Sequence, residues 1–377
     1  MQSRYNPWWF PFAIVGLLGL VALLFALLVV KTGHFKRGFG ASNTIGDTVP
    51  SYHWKMVTAW PKNFPGLGLA PENFARMVND MSDGRLQIHV HGANEIVPPL
   101  AVFGAVSSGS VQMGHSAAYY WKGKIPAAAL FTSVPFGMNA QELNGWLHYG
   151  GGLELWRELY EPFNLIPFAA GNTGVQMGGW FNREIRSVDD IRGLKMRIPG
   201  IGGEVFTRAG GEAINIPGGE LYTSLQSGVI DATEWVGPYN DLAFGFHQIA
   251  KYYYYPGWHE PGPTLEIIVN KDAYNTLPED LQAIIEAAAR AVNQDMLDEY
   301  TARNNAALVE LVENHGVQLR KFPADVLKKF EAISMDLYEE LSQEDPLFAK
   351  VFTSYREYLS GVSAYHALTE KAYLEAR

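Results

Sequence analysis

The pattern of apolar and polar positions divides the chain into three unlike stretches. Residues 5–30 carry no charge, and residues 11–30 form one continuous apolar run, PFAIVGLLGLVALLFALLVV. At about 1.5 Å per residue such a run crosses a bilayer core of about 30 Å. Trp8 and Trp9 stand where an interfacial aromatic belt belongs, and Lys31 follows the run directly. A cleaved signal has a shorter apolar core and an A-x-A site after it, and no clear site of that kind follows here. The stretch 1–37 therefore reads as an uncleaved membrane anchor, with a cleaved signal as the alternative. Residues 38–50, rich in Gly, Ser, Asn and Thr, read as a linker.

From residue 51 the pattern becomes that of a folded α/β chain. Residues 51–60 and 86–92 alternate with the period of strands, residues 68–85 carry a helical spacing between Pro71 and Gly84, and a short helix at 98–109 precedes a strand at 111–117. This rhythm predicts a lobe built on a largely parallel sheet. A helix over 141–163 is interrupted by Gly150, Gly151 and Gly152, and a strand at 164–171 leads out of the lobe. A second lobe opens with an alternating strand at 175–181. Ser187 with Asp190 predicts a capped turn, 193–200 a strand ending at Pro199, and 201–210 and 218–228 two helices. A strand at 265–270 returns to the first lobe. Residues 277–316 keep apolar residues at three- and four-residue spacing over roughly ten turns, a helix long enough to lie along both lobes. A short strand at 317–321, a helix opened by Pro323 and a terminal helix at 347–377 complete the chain. The terminal helix carries six aromatic residues, so its apolar face needs cover, and another subunit is one source of it.

Composition narrows the function. The chain has 377 residues, 47% of them apolar, enough for two lobes. Its net charge of -10 makes nucleic acid an unsuitable partner. All charge ahead of Asp47 is basic: Arg4, Lys31, Lys36 and Arg37. The last three outnumber Arg4, which by the positive-inside rule favours a cytoplasmic body. The absence of cysteine excludes disulfides, thiolate metal sites and a lipid-modified amino-terminal cysteine.

Candidate chemistry gathers between residues 172 and 263. Arg197 lies in KMRIPG, at the end of an expected strand, where its planar fork suits a carboxylate. Glu234, in ATEW, and Glu260, in WHEP, are acids among strongly apolar neighbours. If both shared one pocket with Arg197 and a ligand carboxylate, three negative charges would face one positive charge. Two like charges 4 Å apart cost about 4 kcal/mol at an effective dielectric near 20. One carboxyl must then take a proton, or a cation must enter. An all-oxygen set favours a hard ion such as Ca²⁺, Na⁺ or Mg²⁺, and Gln176 could add a neutral oxygen. Two unrelated surface acids are the bland alternative. Tyr119, Tyr120 and Trp121 follow the third strand, where open α/β sheets collect ligands. No Walker A loop, G-x-G-x-x-G, H-E-x-x-H, G-x-S-x-G or EF-hand loop occurs. His259 and Glu260 lack the second histidine of a zinc motif.

SVDDIRGLKMRIPG and GGELYTSLQSGVIDATEWVGP resemble the two hallmark stretches of solute-binding proteins of tripartite ATP-independent periplasmic (TRAP) transporters. GNTGVQMGGWF, ATEWVGPY and YYYYPGWHEPGPT are similar to motifs of the branch that binds 2-oxo and 2-hydroxy monocarboxylates. The resemblance covers the chain from about Ser51 to the terminal helices. It implies a two-lobed α/β periplasmic-binding fold with hinge-crossing strands and a long lobe-spanning helix; the transmembrane helix read from the apolar run ahead of it is a departure from the family, whose members usually carry a cleaved signal or a lipid-modified cysteine. Lobe I would comprise 51–171 and 264–316, lobe II 172–263 and 317–346, and 347–377 a dimerisation helix. It further implies that Arg197 takes the ligand carboxylate, that Gln176, Glu234, Trp235 (through its carbonyl) and Glu260 hold Ca²⁺ or Na⁺ bridging to the ligand, and that Tyr119, Tyr120, Asn172, Gln176 and Glu234 contact the ligand. The implied partners are a small carboxylate, the membrane permease subunits, the inner membrane through the N-terminal helix, and a second copy of the chain. The body would then lie outside the cytoplasm, against the flanking charges. A metal-dependent enzyme acting on small 2-oxo acids, and a ligand-sensing domain that signals through a partner, are the other classes open to such a chain; neither has an evident base, nucleophile or signalling module.

Overall fold

The fold, a computed structural model, is described over Pro50–Arg377. The anchor expected at 1–37 and nearly all of the linker lie outside the described residues. Among the described residues no helix is long and apolar enough to cross a membrane.

Alternation at the start of this body becomes β1 (Tyr52–Thr58), followed by helix α1 (Leu69–Met81), β2 (Leu86–His91), β3 (Met113–Ser116) and β4 (Leu165–Asn172). The helix expected at 141–163 is two helices, Ala140–Tyr149 and Gly152–Tyr160. Gly151 between them has φ +85, a conformation that ends one helix and lets the next start in a new direction. Chain then passes into β5 (Gly179–Phe181), β6 (Lys195–Arg197), helix α2 (Gly200–Arg208), β7 (Glu212–Ile214), β8 (Ala232–Thr233) and β9 (Tyr252–Tyr255). It returns as β10 (Thr264–Asn270), runs through helix α3 (Glu279–Glu313), and adds β11 (Gln318–Lys321) and helices α4 (Ala324–Glu344) and α5 (Pro346–Leu368).

Two sheets result. The first has the order β2-β1-β3-β10-β4 and the second the order β11-β9-β5-β8-β6-β7. In the first, β1 pairs parallel with β2 and β3, whereas β10 pairs antiparallel with both β3 and β4. The largely parallel sheet expected of lobe I is therefore interrupted by β10, the strand that comes back from the second sheet. All seven residues of β10 are buried, as suits a strand covered on both faces. Two neighbouring strands, β4 going out and β10 coming back, join the sheets, with Asn172 opposite Thr264 at the crossing.

The strand expected at 175–181 is confined to its last three residues. Ahead of them the amides of Gln176, Met177 and Gly178 donate to Glu260, Val236 and Tyr254, three different segments. A backbone that serves three partners in succession cannot follow one neighbouring strand. The short β7 was not expected; three residues between Gly211 and Pro217 are too few to display a period.

Helix α3 has 35 residues, buries Leu281, Ile285, Val292, Met296 and Tyr300, and packs on β4 and α1 from the first sheet and on the helix Pro238–Phe244 from the second. Helix α5 finds cover within its own chain. Phe348, Val351 and Tyr355 are buried, the Met138 amide donates to the Tyr355 hydroxyl at 2.6 Å, and His366 Nδ1 lies 2.7 Å from Glu142 Oε1. Beyond this seam Tyr365, Leu368, Tyr373 and Leu374 remain exposed.

One core carboxyl stands out. Glu266 on β10 is fully buried; Trp121 Nε1 donates to its Oε1 at 2.6 Å, and the Tyr160 hydroxyl lies 2.9 Å from Oε2. Burial raises its pKa from an ordinary 4.5 to about 7, against the two hydrogen bonds. The folded protein thus keeps a proton that the unfolded chain gives up near 4.5. Stability from this group is complete at lower pH and is lost as pH rises towards 7, a span worth on the order of 3 kcal/mol. Glu266→Gln, whose amide can accept from Trp121 and donate to Tyr160, should remove that slope, and urea titrations at pH 5 and 7.5 of variant and parent measure it.

Candidate functional site

The site forms where the strand ends of the second sheet face the turn after β3. Arg197 closes β6, because Pro199 and Gly200 end the strand and start α2. Beside it β8 pairs parallel with β6, with Arg197 opposite Thr233, so the next residue along, Glu234, emerges at the same edge. From the first sheet, β3 runs into a 3-10 turn, Ala118–Trp121, which presents Tyr119 and Tyr120. Gln176 comes from the loop after the hinge, and Glu260 from the turn between β9 and β10. Gln176 N donates to Glu260 O at 3.1 Å, which fixes these two segments to each other.

Arg197 is 1% exposed. Its Nη1 is ion-paired with Glu234 Oε1, Nε donates to Ile216 O at 3.3 Å and Nη2 to the Tyr120 hydroxyl at 3.4 Å. The guanidinium carbon stands 5.2 Å over the Trp235 ring. Burial alone would lower the pKa of this arginine, but the facing Glu234 carboxylate, Tyr120 and Tyr119 raise it above its ordinary value. The charge is permanent. Glu260, 3% exposed, has its pKa raised well above the carboxylate range, first by burial and then by repulsion from Glu234, with Arg197 opposing. Burial first, and Glu260 next, raise Tyr119 as well.

Several buried polar atoms here have no hydrogen-bond partner: Gln176 Oε1, Glu260 Oε2, and Nδ1 of His259. Orphaned acceptors in a buried site are costly. Ligand atoms of Glu234, His259 and Glu260 lie within 4.8 Å of one another. The Glu234 and Glu260 carboxyls with the Gln176 amide oxygen, the last two each with an oxygen that lacks a partner, fit a hard cation. The enclosed space has a free volume of about 10 Å³, with Trp60, Leu67, Pro263 and Leu265 completing its walls.

The structure thus brings together Arg197, Glu234, Trp235, Gln176, Glu260, Tyr119 and Tyr120. Asn172, expected at the ligand, is turned into the hinge. Its Nδ2 donates to Gly262 O at 3.0 Å and Thr264 Oγ1 at 3.3 Å, and its Oδ1 accepts from Gly174 N at 2.8 Å. These bonds tie the outgoing strand to the returning one. Sequence reasoning missed His259, which is 2% exposed with Nε2 3.3 Å from Glu234 Oε2. Its signal was the pair His259-Glu260, set aside for lacking the rest of a zinc motif. It also missed Thr173, whose Oγ1 accepts from Gln176 Nε2 at 3.2 Å and so orients the amide oxygen.

This fold and this site define an extracytoplasmic solute-binding protein. The chain belongs to the family described as bacterial extracellular solute-binding protein, family 7, whose profile matches residues 56–345. It is a TRAP-type solute-binding protein, a periplasmic transport class and not an enzyme class. A monocarboxylate 2-oxoacid-binding periplasmic protein of Nostoc sp. is 44% identical over 332 residues, 88% of this chain and 91% of that one. A TRAP periplasmic solute-binding protein of Pseudoalteromonas atlantica, solved with bound sodium and pyruvate, is 46% identical with a TM-score of 0.85, over 87% of this chain and 99% of that one. One from Colwellia psychrerythraea, solved with bound calcium and pyruvate, is 46% identical with a TM-score of 0.85, over 87% and 100% of the two chains.

Gly179 governs how close Glu234 can come. It has φ +113, and a Cβ there would stand 2.8 Å from Thr233 O and 3.2 Å from Glu234 Cα. Gly179→Ala should destabilise the protein by about 1–3 kcal/mol through strain and this contact, read as a lower midpoint in denaturant unfolding.

Proposed function

We propose that this protein captures a small 2-oxo or 2-hydroxy monocarboxylate of the pyruvate or lactate type together with one Ca²⁺ or Na⁺, and presents it to membrane permease subunits. The observation that carries the reading is a buried arginine facing two carboxyls whose neighbouring oxygens lack partners. Arg197 is the residue for the ligand carboxylate, with Tyr119 and Tyr120 as walls. Gln176, Glu234, Glu260 and the Trp235 carbonyl are the residues for the cation, and His259 positions Glu234. Bound there, the cation supplies the positive charge that lets two glutamates and a ligand carboxylate share one site: Ca²⁺ makes the count neutral, and Na⁺ leaves one negative charge.

Glu234 pairs with the Arg197 fork that a ligand carboxylate would use. The small free volume means that capture requires this pair to loosen and the lobes to part about the β4–β10 crossing. Asn172 serves that hinge. We take lobe I as 51–171 with 264–316, and lobe II as 172–263 with 317–346. The apolar run at 11–30 supports tethering to the outer face of the inner membrane. The exposed Tyr365, Leu368, Tyr373 and Leu374 support pairing of two copies through the C-terminal segment.

Calorimetry on protein refolded to remove carried-over ligand tests the reading, with pyruvate, lactate and longer 2-oxo acids titrated with and without Ca²⁺ and Na⁺. One-to-one, cation-dependent binding with recovery of unchanged ligand is expected; failure to bind any of these acids would end it. Arg197→Ala should cost roughly 2–5 kcal/mol of pyruvate binding, because the ligand charge loses its partner in a buried site. Near-parental affinity in that variant would remove Arg197 from the ligand. Glu234→Gln should weaken cation and pyruvate binding together, and calorimetric titrations of each in the presence of the other measure the coupling.

A further inference from the structure

The mouth of the cleft carries a charged chain that the binding site itself does not use. Lys122 follows directly on the turn that presents Tyr119 and Tyr120, and its Nζ lies 3.2 Å from Glu204 Oε2. Lys122 belongs with the first sheet and Glu204, on α2, with the second. Glu204 is not free to wander. Its Oε1 accepts from Arg208 Nη2 at 3.1 Å, and Arg208 in turn grips both oxygens of Glu340 on α4, at 2.7 and 2.8 Å. Lys122, Glu204 and Arg208 line an open outer groove of about 500 Å³. Tyr119 and Tyr120 line both that groove and the inner cavity, so they stand between the two. The lobes also touch closely here: Tyr119 lies 3.4 Å from where a Cβ of Gly200 would stand.

We propose that Lys122 and Glu204 are a latch across this mouth, positioning residues that touch no ligand and set how long the closed cleft retains one. The proposal rests on the reading of the cleft as the site for a small acid. The physical case is the asymmetry of the pair. An exposed ion pair is usually weak because two long side chains must be ordered to make it. Here Arg208, itself clamped by Glu340, has already ordered Glu204, so closure needs to immobilise Lys122 alone. Because the partners sit on different lobes, opening must break the bond. Its energy therefore opposes release more than it aids encounter, and the effect belongs in the dissociation rate. The side chains are 36% and 38% exposed, so added salt weakens the bond.

The test is stopped-flow fluorescence on the full chain with Ca²⁺ and pyruvate as the probe. Lys122→Ala and Glu204→Gln should each raise the dissociation rate about two- to five-fold, with the association rate little changed. The double variant should release pyruvate no faster than either single one, and Lys122→Arg should restore retention. Potassium chloride should speed release from the parent and not from Lys122→Ala. Release at the parental rate from Lys122→Ala, or single effects that multiply in the double variant, would overturn the latch. A second arm needs no ligand. The chain lacks cysteine, so Glu154→Cys and Gln226→Cys, both exposed and one on each lobe, accept a fluorophore pair for single-molecule energy transfer. Lys122→Ala should lower the closed fraction, and an unchanged fraction would overturn the proposal. Should the parent fail to bind pyruvate while that fraction still falls, the ligand reading fails and the latch stands.

Discussion

A guanidinium that is permanently charged and shut away from water must have an opposite charge within reach. Arg197 makes this demand at the meeting of the two sheets, and the surrounding structure answers it. The ion pair with Glu234 needs β6 and β8 side by side, since only that pairing brings the two residues out at one edge. The Trp235 ring under the guanidinium excludes water from one face, and Tyr120 approaches its far side. A second acid, Glu260, enters an environment that already holds one negative charge, and the result is a group pushed towards its neutral form. In the reading proposed above, a cation and a ligand carboxylate would join these groups, and the cation would offset the negative charge that the ligand adds.

Much of this was legible along the chain. Alternation marked β1 and β2, and the three- and four-residue spacing marked α3, because each of these elements favours one face or stripe over many residues, while β10 stood out as a short apolar run between turns. Arg197 was legible because Pro199 and Gly200 end its strand. What was not legible depended on contacts far along the sequence. That Arg197 and Glu234 are neighbours follows from β6 pairing with β8, a non-local fact that neither segment records. Gln176 lies in VQMGGWF, which alternates like a strand, yet both its backbone groups bond to the loop between β9 and β10, at Glu260 and Gly257. Asn172 looked like a ligand contact, yet its side-chain amide is consumed in joining β4 to β10. His259 belongs to no metal motif along the chain, and its relevance lies in one distance to Glu234. Short β7 left no trace because a period needs more than three residues to appear.

The two lobes hold their stability in separate places. On the first sheet Glu266 is a buried acid, satisfied by Trp121 and Tyr160. Beside the second, on the helix Pro238–Phe244, Asp241 is another, where Trp180 Nε1 and the Tyr253 hydroxyl donate to one carboxylate oxygen at 2.9 and 2.6 Å while their rings stack at 4.1 Å. Each lobe thus carries its own buried acid pinned by aromatic donors, and neither acid reaches across the cleft. The opening proposed above would therefore leave both networks intact.

The crossing of β4 and β10 has one more consequence. β4 and β10 lie side by side where they join the two sheets, with Asn172 opposite Thr264, and α3 packs on elements of both. If the cleft captures an acid as proposed above, any shift of one lobe against the other is carried by these few segments. A membrane partner docked on both lobes would then sense that shift without touching the ligand, and the chemical identity of the cargo would stay a private matter of the cleft.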